Sequence, residues 1–256
     1  MNWLSRSLRN RGASRNGQGG QGRHEGQNGQ GDQGDQGDAR PSPTPRPLTG
    51  VSKTLTPPPA APGPAPALTT AGAPVLQRTT GTADRVVELT TGAQPVIIGI
   101  THHGPGHFVV DALDGRLRAG SQLVYTDGPF AARALANADG RPVRALRIQA
   151  EAPWTIELTD LTDAVTLDTY AERPASDVLR YTGGPAIATL HYRGTPTASD
   201  GGYFLTDTFA PDGSGFLDVL ANHTGPWQAE APLAGPCLVY ARADGPWSIE
   251  VRALGG

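Results

Sequence analysis

From residue 84 onward the apolar residues come in short β-branched runs: Val86 to Leu89, Val96 to Ile100, Phe108 to Leu113, Leu123 to Tyr125, Val143 to Ile148 and Trp154 to Leu158. Turn residues separate them, as at Gly104, Pro105 and Gly106, at Asp114 and Gly115, and at Ala138, Asp139 and Gly140. Short runs spaced about ten residues apart and punctuated in this way predict an all-β sandwich. No stretch holds a 3.6-residue apolar period for three turns, so helices are not expected here. From Trp154 to Leu158 the period is two. That puts Trp154, Ile156 and Leu158 on a core face and Thr155 and Glu157 on a solvent face.

The pattern then returns. Ala152 to Leu158 recurs as Gly245 to Val251, Gly106 to Leu113 as Gly202 to Phe209, Leu123 to Phe130 as Leu220 to Trp227, and Pro95 to Gly104 as Pro185 to Gly194. Four matching blocks in one order indicate an internal duplication. The expected organisation is two tandem β-sandwich modules, 75–161 and 175–256, joined by a linker over 162–174. Glycine, proline, aromatic and aliphatic positions recur, whereas groups capable of chemistry do not. The repeat therefore reads as two copies of a scaffold.

The chain ahead of the modules has another character. Residues 17–38 are almost wholly Gly, Gln, Asp and Asn, and residues 41–74 are rich in Pro, Ala and Thr. Such a stretch cannot bury enough apolar surface to offset an ordering cost of roughly 1–2 kcal/mol per residue. A long disordered N-terminal arm over 17–74 is expected, flexible at first and then stiffened toward polyproline II. Residues 1–16 form a short basic segment. Trp3, Leu4 and Leu8 could edge a short amphipathic helix, with Arg6 and Arg9 beside them, suited to an anionic membrane surface or a protein partner. A solvated basic tail is the plainer reading.

Charge sharpens this division. The net charge of -3 combines +4 on the first 53 residues with -7 on the remainder. An acidic folded part excludes nucleic acid as the modules' partner, because phosphate contacts need a basic surface. Cys237 is the single cysteine, which excludes an internal disulfide and a CxxC pair. The basic start is not followed by an apolar signal-peptide core, and no run approaches the ~20 residues of a membrane span. The expected location is cytoplasmic, with peripheral membrane contact through the arm as a variant.

The modules carry Gly106, Phe108 and Val110, then Gly128 and Phe130, then Ala152, Trp154, Thr155, Ile156 and Glu157. The second copy has Gly202 and Phe204, Gly225 and Trp227, then Asp244, Gly245, Trp247, Ser248, Ile249 and Glu250. This pattern resembles a bacterial, actinomycete-type β-sandwich accessory module that closes on Asp-Gly-x-Trp-Ser/Thr-Ile-Glu and occurs in surface proteins and beside tellurium-resistance-type stress proteins. The resemblance implies a non-catalytic binding or structural role. The first copy departs from it with Glu151 and Ala152 in place of Asp-Gly, and alanine disfavours the positive φ such a turn often needs.

Candidate chemistry is sparse. His102, His103 and His107 lie within six residues and could hold zinc or copper if a hairpin brought them together; a polar hairpin loop is the alternative. Phe130 and Trp227 follow Gly-Pro and are candidates for ligand or partner contact. Asp111 with Asp114, and Asp207 with Asp212, are too few for a calcium loop of the EF-hand kind. Ser214 sits in a turn sequence and not in a nucleophile elbow, and Gly50 to Thr54 lacks the phosphate-loop glycine before Lys53. No catalytic residue, cofactor or metal is assigned. The expected function is a non-enzymatic interaction or adaptor protein with a protein partner, in a bacterial stress or envelope-associated system. The alternatives are a carbohydrate- or small-ligand-binding protein using exposed aromatics, and a metal-binding protein using the three histidines.

Overall fold

The structure, a computed structural model, describes residues 73–196 and 198–255. The expected arm, apart from its last two residues, and its basic start lie outside them. The described residues are all β, with two short 3₁₀ turns and no α-helix. In the first module the strands are β1 (Val75–Gly81), β2 (Arg85–Glu88), β3 (Val96–His102), β4 (Phe108–Leu113), β5 (Ala119–Thr126), β6 (Phe130–Ala136), β7 (Ala145–Ala150) and β8 (Trp154–Thr159). They form a front sheet in the order β1-β8-β3-β6 and a back sheet in the order β2-β7-β4-β5. Two four-stranded sheets in that order make a jelly roll, the arrangement of two Greek keys wrapped around one core.

The second module contains β9 (Val165–Leu167), β10 (Tyr170–Arg173), β11 (Asp177–Tyr181), β12 (Ala186–Tyr192), β13 (Tyr203–Phe209), β14 (Phe216–Thr224), β15 (Trp227–Leu233), β16 (Cys237–Ala243) and β17 (Trp247–Ala253). Its front sheet runs β10-β17-β12-β15 and its back sheet β14-β13-β16-β11-β9. Strand for strand this is the first module again, with β9 added in parallel beside β11. Residues 162–174, read from the sequence as a linker, carry β9 and β10. Their apolar content is slight because each is a short strand at the edge of its sheet.

Each core is centred on its tryptophan. Trp154 and Trp247 are 1% and 0% exposed, and each indole N–H donates to a carbonyl on the crossing that leads into β2 or its equivalent β11, Ala83 at 3.1 Å and Ala175 at 2.8 Å. The indole thus fills the core and also ties down the crossing between sheets.

The two modules pack front sheet to back sheet. On β16, Cys237, Val239, Ala241 and Ala243 belong to the second core, while the alternate Leu238 and Tyr240 join the first module's apolar cluster together with Val178 and Phe209. On the other side, Ile97 and Leu135 alternate with core residues of β3 and β6 and are buried as well. Gly213, at φ 74°, lies so close to Pro95 that a Cβ would come within 2.8 Å of it. This turn of the second module fits the first only as glycine.

Candidate functional site

The histidine loop is drawn apart by strand alternation. His102 is the last residue of β3 and faces the core, fully buried and stacked on Phe108 with ring centroids 4.5 Å apart. Its Nδ1 lies 2.8 Å from the Gly128 carbonyl, which can only accept, so the proton sits on Nδ1. Nε2 is buried with no hydrogen-bond partner among the described residues. His103 is exposed, with Nε2 3.1 Å from the Thr155 hydroxyl. His107 meets the Asp127 carboxylate at 3.2 Å and the edge of Tyr125. Among the described residues no three His, Cys, Asp or Glu side chains are grouped to hold a metal.

In the second module Tyr192 takes the place of His102. It stacks on Phe204, the counterpart of Phe108, and its hydroxyl reaches past the ring to Asp244 and Thr195. Burial and the Asp244 carboxylate together push this phenol above its ordinary range. Asp244 also accepts the Tyr203 N–H at 3.1 Å, as Glu151 accepts the His107 N–H at 3.0 Å. A carboxylate therefore does recur, but it is spent on the backbone at the mouth of β4 and β13. A Cβ at Gly202, where φ is 80°, would collide with Asp244 and Tyr192.

The substitution of Glu151 and Ala152 for Asp-Gly does not disturb the closing turn, because neither Ala152 nor Gly245 adopts positive φ. The constraint is steric. A Cβ on Gly245 would stand 2.7 Å from the Gly194 carbonyl, whereas in the first module Ala152 carries its methyl and Gly104 lacks one, a Cβ there falling 2.7 Å from that of Ala152.

Phe130 and Trp227 open β6 and β15 and are half-buried against their own cores. Trp227 is met edge-on by His223 at 5.5 Å. Among the described residues the aromatics most open to solvent are others: Tyr125 at 60%, Tyr170 at 54%, Phe216 at 45% and Tyr203 at 42%. The paired aspartates serve the scaffold. Asp111 accepts from Arg147 at 2.7 Å, Asp207 pairs with Arg242, and the Arg118 and Arg116 amides hold the Asp114 carboxyl below its ordinary value. Burial pushes the Cys237 thiol up to about 11. Trp3, Leu4, Leu8, Arg6 and Arg9 lie outside the described residues.

The most heavily committed polar group is one the sequence did not single out. Arg133, on β6, is 2% exposed. Its Nε donates to Asp177 at 2.6 Å, its Nη1 to the Asp163 carbonyl at 2.7 Å, and Asp163 also accepts from the Thr159 hydroxyl at 3.0 Å. Arg173 donates to the second oxygen of Asp177 at 2.6 Å. Two arginines and two aspartates thus form a neutral cluster in the seam, joined by a backbone bond from Arg133 N–H to the Ser176 carbonyl at 2.9 Å. A signal was present in the sequence: the position matching Arg133 in the second copy is Glu230, which is exposed. A charge inverted between copies marks a place where their surroundings differ.

The described residues thus form two jelly rolls joined by a buried seam. No family model and no curated protein matches the chain. Among solved structures it is similar to A223, a turret protein of Sulfolobus turreted icosahedral virus, at 9% identity over 68% of this chain and 95% of that one, with a TM-score of 0.22. A likeness at that score carries no argument about function.

Proposed function

We propose that this chain is a non-enzymatic interaction or adaptor protein, built by duplication of one jelly roll and tethered by its N-terminal arm. The observation that supports this reading most is where the polar groups go. Arg133, Asp163, Asp177, Glu151 and Asp244 are committed to holding strands, turns and modules in place. The resemblance to accessory modules of bacterial surface and stress proteins agrees with it, as does the matched strand order of the two halves. Among the described residues no helix is long and apolar enough to cross a membrane.

Affinity capture with the full chain and with residues 73–256 as separate baits tests the reading. A discrete protein retained in near-equimolar amount by either bait is the expected result, and its loss from the shorter bait assigns it to the arm. Substrate turnover that tracks the purified chain and disappears on altering an exposed polar residue would overturn it.

A further inference from the structure

The seam consumes one face of each module and leaves the matching pair free. The first module's front sheet is covered by the second module's back sheet, so among the described residues the second module's front sheet and the first module's back sheet remain open. Register shows what stands at the equivalent positions. Arg133 pairs across its sheet with Gly99, and Glu230 pairs with the matching Thr189. Asp177 pairs with Ala241, and Arg85 pairs with the matching Ile148. The salt bridge of the seam, Arg133 to Asp177, therefore has as its free counterparts Glu230 on the open front sheet and Arg85 on the open back sheet. The signs are exchanged and still opposite, and both side chains are exposed.

Some of the apolar positions around the pair are kept, although Tyr240 of the seam is matched by Arg147. Val178 of the seam corresponds to Val86, which is 52% exposed, and Leu161, packed against the first cluster, corresponds to Leu254, which is 50% exposed. Ile97 corresponds to the half-buried Ile187. Other positions have become polar: Leu135 and Ala131 are matched by Pro232 and Gln228. The open faces thus retain one charge pair of the seam with its signs exchanged and part of its apolar contact, at lower hydrophobicity.

We propose that copies of this chain associate head to tail, the open front sheet of one second module seating on the open back sheet of the next first module, with Glu230 meeting Arg85. The contact repeats the internal seam between chains. Because it joins two different faces, it extends into a ring or an open filament and not a closed two-fold dimer. The proposal goes beyond the adaptor reading and stands on the seam alone, so either can fail without the other.

Sedimentation of the full chain tests it, at about 10 mM and about 1 M salt, where the Debye length falls from about 30 Å to about 3 Å. At low salt the weight-average mass should rise with protein concentration, and at high salt the rise should shrink. Glu230→Arg and Arg85→Glu should each return the chain to monomer with unchanged thermal midpoints, since both sites are exposed. Combining them in one chain, or mixing the two single variants, should restore the mass. A wild-type chain that stays monomeric at every concentration, association unaffected by the single variants, or no rescue by the double exchange would each overturn the proposal.

Discussion

Trp247 has no exposed surface and spends its one polar atom on the Ala175 carbonyl. Truncating it to alanine removes a large apolar volume that β-strands on both sides cannot collapse to fill, so a loss of about 3–5 kcal/mol is expected in denaturant unfolding. A loss below about 1 kcal/mol would make the residue peripheral. Asp207 behaves differently. Burial raises its carboxyl above the ordinary 3.8, outweighing the Arg242 guanidinium beside it. The native state therefore takes up this proton before the unfolded chain does as pH falls. Its contribution to stability increases as pH drops through the window between the raised value and 3.8, opposite to the usual aspartate. Asp207→Asn should flatten the pH dependence of unfolding in that window, and an unchanged slope would refute the assignment.

Among the elements, β6 shows both what the sequence reveals and where it stops. Phe108 to Leu113 and Trp154 to Leu158 were legible because β-branched and aromatic residues alternate or run together between turns. Phe130 to Ala136 was not. Four of its seven residues are alanine, with Arg133 and Leu135, a composition that favours helix over strand. It forms a strand because small residues allow it to lie flat between its own core and the neighbouring module, a requirement set by partners distant in the chain. Val75 to Gly81 carries little signal for a related reason: it is an edge strand, largely exposed, with no buried periodicity to read. The candidate sites divided in the same way. Alternation separates His102 from His103, but only the folded register reveals that Arg133 meets Asp177. Removing Arg133 as Arg133→Ala would break the buried Arg133–Asp177 pair and leave Asp177 with Arg173 as its remaining guanidinium, at a cost of about 3–5 kcal/mol in urea unfolding. An effect near zero would show that water enters the seam.

At the scale of the molecule, the seam makes the modules interdependent. Val178, Leu238, Tyr240 and Phe209 are buried only because the first module covers them, so residues 162–256 on their own would present a broad apolar face to water. Calorimetry of the full chain should give one unfolding transition, with equal calorimetric and van't Hoff enthalpies. Two separated transitions, or an isolated second module as stable as the whole, would show that the seam is incidental.

The turn before the last strand of each module is limited by space. Gly104 with Ala152, and Gly194 with Gly245, are two solutions to one crowding problem, and the first already uses the space a second methyl would need. An alanine at position 245 would drive a methyl into the Thr195 hydroxyl and the Gly194 carbonyl. The space at this turn thus admits one methyl in the first module and none in the second, so the two turns do not exchange this residue singly.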